Sequence, residues 1–173
     1  MRSLEVADMF VSKYGDVIKP TNLSLNKLVY FAQVEALKIA GRPLFEDRIE
    51  AWEYGPVEPE VYRAFKSNGR RAIETPSGVC FGGFPSPEDL AVVDFVAGKY
   101  GGLGAFDLVR LSHREGGAWS NKYVPGENAE ITVADILASD DFSCEPNMEA
   151  TIAAGFRSVR EKWPNTLRML EDA

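Results

Sequence analysis

The stretch Leu23 to Ala40, LSLNKLVYFAQVEALKIA, constrains this chain more than any other. Leu25, Leu28, Val29, Ala32, Ala36 and Ile39 form one helical stripe, and Tyr30, Phe31, Val34 and Leu37 widen it around most of the circumference. A helix this apolar has to be covered on nearly every side, so it predicts the buried centre of a fold with other elements arranged around it. Both ends are marked. Lys19-Pro20-Thr21-Asn22 breaks the preceding pattern and offers capping side chains, Gly41 suits the left-handed residue after a helix, and Pro43 does not readily continue one.

The elements around that centre follow from the same kind of pattern. Leu4, Val6, Ala7, Met9, Phe10, Val11 and Tyr14 predict a first helix over 3–14. IEAWEY, from Ile49, alternates like a strand and stops at Gly55-Pro56, and Pro59 to Phe65 reads as a short helix ending near Asn68-Gly69. Val79-Cys80-Phe81 is a second strand-like piece that would pair with the first. Ser86-Pro87-Glu88-Asp89 has the hydroxyl, proline and acidic residues of a helix start, and the helix ends at Gly101-Gly102-Leu103-Gly104. Phe106 to Leu111 begins another helix, Thr132-Val133-Ala134-Asp135 resembles a capping box, and Met148 to Leu170 is helical in pattern with a bend expected at Pro164. The expected fold is therefore mainly α: a compact single-domain helical fold over 1–173 with a small two-stranded β element, in which 141–173 is a C-terminal helical extension. No repeat or change of composition marks a second domain.

Charge and cysteine content narrow the function. Residues 1–122 carry 15 Lys/Arg against 16 Asp/Glu, 123–156 carry none against 7, and 157–173 carry 4 against 3, so the whole acidic excess lies in one segment. Such a surface repels phosphate backbones and favours a basic partner protein or simple solvation over DNA or RNA. The one basic cluster, Arg63, Lys66, Arg70 and Arg71, sits at the end of a short helix, where it complements the dipole. No apolar run reaches the roughly 18 residues of a membrane span, and Glu5 and Asp8 interrupt any signal-like N-terminus. Cys80 and Cys144 have no metal-ligand spacing and form no disulfide framework, which fits a reducing cytoplasm and no metal or cofactor.

Chemistry has few candidates. His113, in LSHREGG, is the single histidine, and the adjacent Ser112 would point elsewhere on a helix. A hydrolase using His113 with a carboxylate is one alternative, and a nucleic-acid-binding regulator using the basic cluster is another. A histidine near a helix C-terminus also has a plain structural role beside the last carbonyls. The glycines at 101–104 lack the preceding strand and the lysine of a phosphate-binding loop.

The segment Leu25 to Phe65 carries a more specific pattern: YFAQ closing a helix, GRPLF connecting, then AWEYGPVEPEVY. This ordered combination resembles the signature of the Panacea domain family, and LSHREGGAW at 111–119 resembles its second block, with Ala118 where proline is usual. The resemblance covers roughly 4–140. It implies a mostly helical, non-enzymatic antitoxin that binds a cognate toxin encoded nearby, in some members as a SocA-like proteolytic adaptor that hands the toxin to a cytoplasmic AAA+ protease. Other members are phage-associated. It also implies a partner-binding set at Trp52, Tyr54, Gly55, Pro56, Val57, Tyr62, His113 and Trp119. From the residues alone, these aromatic side chains suit either a core or a binding hot spot.

Overall fold

In the computed structural model, which describes residues 1–78 and 85–143, the central helix is enclosed as its sequence requires: every residue of α2 (Asn22–Ala40) from Ser24 to Leu37 is buried. Thr21 caps it by accepting from the Ser24 N–H, and Gly41 closes it at φ 65°. Around it pack α1 (Ser3–Ile18), α3 (Pro59–Phe65), α4 (Pro87–Tyr100) and α5 (Ala105–Ser112). A short 3-10 turn, Lys66–Asn68, extends α3. Beyond α5 come α6 (Ala118–Lys122), α7 (Val133–Leu137) and α8 (Asp140–Ser143), and α8 returns to α2. Residues 1–143 form one compact unit, and the architecture is mainly α, as the periodicity predicts.

Burial on all sides leaves the polar residues of α2 no water to turn to, and several are matched by neighbouring elements. Asn26 Oδ1 accepts from the Glu58 N–H, Gln33 exchanges hydrogen bonds with the backbone of Leu44 and Phe45, and Tyr30 donates to Asp141 at 2.6 Å. Glu35 receives Lys99 and the Tyr100 hydroxyl, both at 2.7 Å, from α4. Apolar packing supplies the bulk of the attraction, while these bonds fix which element sits where.

The β element differs from expectation. Strand β1 (Ile49–Trp52) pairs antiparallel with β2 (Gly55–Val57) on one side and with β3 (Ala129–Ile131) on the other, so among the described residues the sheet has three strands in the order β2-β1-β3 where two were expected. Gly55-Pro56 does not terminate the local structure but begins the return strand. The register Trp52↔Gly55 leaves Glu53 and Tyr54 as a two-residue turn, Gly55 takes the φ of 101° that the reversal demands, and proline is tolerated in an edge strand. The expected strand at Val79–Phe81 and the expected helix at Met148–Leu170 lie outside the described residues. Sequence pattern missed β2, β3, α6 and α8 because elements of three to five residues are too short to display a period.

Candidate partner-binding site

The β1–β2 hairpin is seated on the central helix by one side chain. Lys27, at 0% exposure, donates from Nζ to the Pro56 carbonyl at 2.8 Å. Burial without a carboxylate partner pushes its ammonium down to about 7. The fit is close: a Cβ on Gly55 would lie 2.6 Å from Lys27 Cε and 2.7 Å from Ser112 Oγ. Glycine is therefore required here twice over, by its φ and by the approach of two side chains.

A second anchor comes from the other sequence block. Trp119 Nε1 donates to the Trp52 carbonyl at 2.8 Å, and the Trp119 ring stacks with His113, at 3.5 Å between ring centroids, and with Tyr123, at 4.6 Å. The two signature segments thus meet along the hairpin. His113 closes α5, where its backbone N–H reaches the Val109 and Arg110 carbonyls as a helix-end residue does, while its imidazole is held by stacking. Burial first, then the charge of Lys27, holds that imidazole below its ordinary pKa. Its Nε2 is buried without a hydrogen-bond partner among the described residues. Ser112 is buried and donates to the Val109 carbonyl. The pair therefore lacks the nucleophile–base hydrogen bond that acyl-transfer chemistry uses.

The residues singled out by sequence consequently divide into two groups. Gly55, Pro56, Val57 and Trp119 are buried, and His113 is half-buried against Trp119. Trp52, Tyr54 and Tyr62 form the outer side. Tyr62 is 37% exposed and packs edge-on against Trp52 at 4.9 Å, and Tyr54 at the turn is 55% exposed. Trp52 Nε1 donates to Glu50 at 2.8 Å on the same face. Inner residues hold the hairpin rigid and outer ones present aromatic surface with polar tips, a combination suited to binding.

Two charged positions that sequence reasoning passed over complete the frame. Lys27 was hidden in a run that reads as apolar, and its signal is its position: a lysine inside a stretch that must be buried all round. Asp141 belongs to the acidic segment by sequence but is 1% exposed, and it accepts from Tyr30, from Arg114 Nε at 3.1 Å and from the Ala118 N–H at 2.8 Å. It is thus a packing group rather than part of an acidic surface. Asp135, by contrast, does cap α7 through Thr132, as the local pattern predicts. Arg63, Lys66, Arg70 and Arg71 are exposed at the end of α3. Among the described residues no group of His, Cys, Asp and Glu is placed to hold a metal, and no helix is long and apolar enough to cross a membrane.

Residues 25–120, from the first buried turn of α2 to just past Trp119, match the family described as "Antitoxin SocA-like, Panacea domain". This chain belongs to that family. A Panacea relative, Antitoxin SocA of Caulobacter vibrioides (strain NA1000 / CB15N), is 38% identical across 92% of this chain and 91% of its own length. No solved structure gives a significant match. The matched region holds α2, the hairpin, α3 and the His113–Trp119 stack, so the Panacea signature coincides with the frame just described. The Ala118 N–H, which a proline at this position would lack, bonds Asp141.

Proposed function

We propose that this chain is an antitoxin that neutralises a toxin encoded beside it by binding it directly, in the cytoplasm, through the outer side of the β1–β2 hairpin and α3. The observation that carries this is membership of the Panacea antitoxin family over residues 25–120, with a relative of similar length that is named an antitoxin. The geometry supports it in two ways. Tyr54 is exposed at the turn of a hairpin that Lys27 and Trp119 hold from beneath, and Tyr62 is exposed on α3 against Trp52 of that hairpin, so little ordering cost attends their use in an interface. Ser112 and His113, the pair nearest to a catalytic arrangement, are tied into α5 and the aromatic stack.

The test is coexpression with the product of the neighbouring open reading frame. That product arrests growth alone, and the present chain restores growth and copurifies with it. A neighbour that is harmless alone overturns the proposal. Toxin abundance separates two routes to neutralisation: it stays constant when the toxin is masked, and it falls, in strains that retain the AAA+ protease, when the chain acts as a proteolytic adaptor.

A further inference from the structure

The β1–β3 pairing brings together two acidic stretches that are far apart in sequence. Glu50 and Glu130 stand directly opposite each other across the strands, a like-charge pairing that ordinarily destabilises a sheet. Among the described residues Arg48 is the cation that meets both, with Nε 3.4 Å from Glu50 and 3.7 Å from Glu130, and its side chain is largely exposed, while Glu50 also accepts from Trp52 Nε1. Glu53 at the hairpin turn and Glu127 before β3 are exposed and make no ion pair among the described residues. Beside these carboxylates lies the Trp52–Tyr62 pair, with Tyr54 at the tip.

Resting on the antitoxin assignment above, we infer that this face of the sheet receives a lysine- or arginine-rich segment of the partner protein. Two independent features converge on that chemistry. Carboxylates flank the patch on two strands, so an incoming cation relieves the repulsion between Glu50 and Glu130, which Arg48 only partly offsets. The rings of Trp52, Tyr54 and Tyr62 offer π faces and edges that accept guanidinium or ammonium groups and cover their apolar stems. Nucleic acid is disfavoured on the same face, because its phosphates would meet the carboxylates.

Two measurements on the full-length chain test this. In the first, amide chemical shifts of labelled protein are followed during titration with a hexa-arginine peptide at low ionic strength, with hexa-glutamate as control. Shifts are expected at 48–54, 60–62 and 127–131, weakening with salt, and none with the acidic peptide. Shifts centred elsewhere, or absent, overturn the inference. In the second, Tyr54→Ala, Tyr62→Ala and Glu130→Gln are assayed against the toxin encoded by the neighbouring gene, with circular dichroism confirming the fold. The tyrosine variants are expected to weaken binding by about 10- to 30-fold, up to the lower bound of an interface hot spot. If the parent neutralises the toxin and all three variants do so equally well, the inference fails and the antitoxin assignment stands. If the parent does not bind the neighbouring product, the assignment fails, and the peptide titration alone decides whether the face binds basic segments.

Discussion

Replacing Lys27 by methionine tests the frame on which the hairpin rests. Lysine 27 has a folded pKa of about 7 against an ordinary value of 10.5, because its ammonium is buried with a backbone carbonyl and no carboxylate. Between those values the unfolded chain binds a proton that the folded chain does not, so parental stability rises with pH through that window and levels off below it. Each pH unit contributes about 1.4 kcal/mol, so from pH 7 to about 9.5 the parent gains roughly 3 kcal/mol from this one group. Stopping there avoids Tyr14 and Tyr100, whose raised pKa values lower stability at more alkaline pH as the unfolded tyrosines ionise. His113 does not intrude either, since its pKa lies below the ordinary 6.5. Lys27→Met keeps the volume and removes the titration. Urea unfolding of both proteins across this range is expected to give a stability difference that shifts in the parent's favour by roughly 3 kcal/mol. A difference that stays constant to within about 1 kcal/mol would mean that Lys27 titrates normally, and the hairpin would then not be seated on a buried lysine.

Further substitutions probe the same frame. Gly55→Ala places a methyl against Lys27 and Ser112 at φ 101°, and thermal unfolding should show a loss of about 2 kcal/mol or more; an unchanged transition would refute the close approach. Glu35→Gln removes the charge that meets Lys99 and Tyr100, with an expected cost of about 1.5 to 3 kcal/mol in denaturant unfolding, the worth of hydrogen bonds to a charged group, because Lys99 is an exposed residue whose ammonium can return to water. Ala118→Pro suits the first turn of α6 but deletes the N–H bonded to Asp141; the loss of a bond to a buried carboxylate, about 1.5 to 3 kcal/mol, outweighs the gain of about 0.4 to 1 kcal/mol from a stiffer unfolded chain. A stabilised variant would mean that Asp141 is adequately held by Tyr30 and Arg114. Glu127→Gln combined with Glu130→Gln should slow association with the toxin at low salt and leave dissociation nearly unchanged, as stopped-flow and wash-out measurements would show.

How much of this was legible in the sequence depends on the range over which each feature is determined. The course of α2 and its caps at Thr21 and Gly41 are written locally, because a long apolar helix carries its period and its stop signals within its own residues. The capping pairs Ser86–Asp89 and Thr132–Asp135 are equally local, and both form. Partnership across the chain is not local. Nothing near Ile49 announces that β1 takes its second neighbour from Ala129–Ile131, and nothing near Asp141 announces that it will be buried under Tyr30 and Arg114. The candidate site shows the same division at the level of single residues. A pattern of aromatic residues around Gly55-Pro56 marks the hairpin as important, yet whether a ring faces in or out is decided by contacts from elsewhere: Trp119 turns inward because the Trp52 carbonyl accepts its N–H, and Tyr62 remains at the surface because Trp52 meets it edge-on. Lys27 gives the rule that carries furthest. Where a helix must be buried on every side, each polar residue within it has to find a partner in another element, so the polar positions of α2 indicate which neighbours will be pinned even before those neighbours can be named.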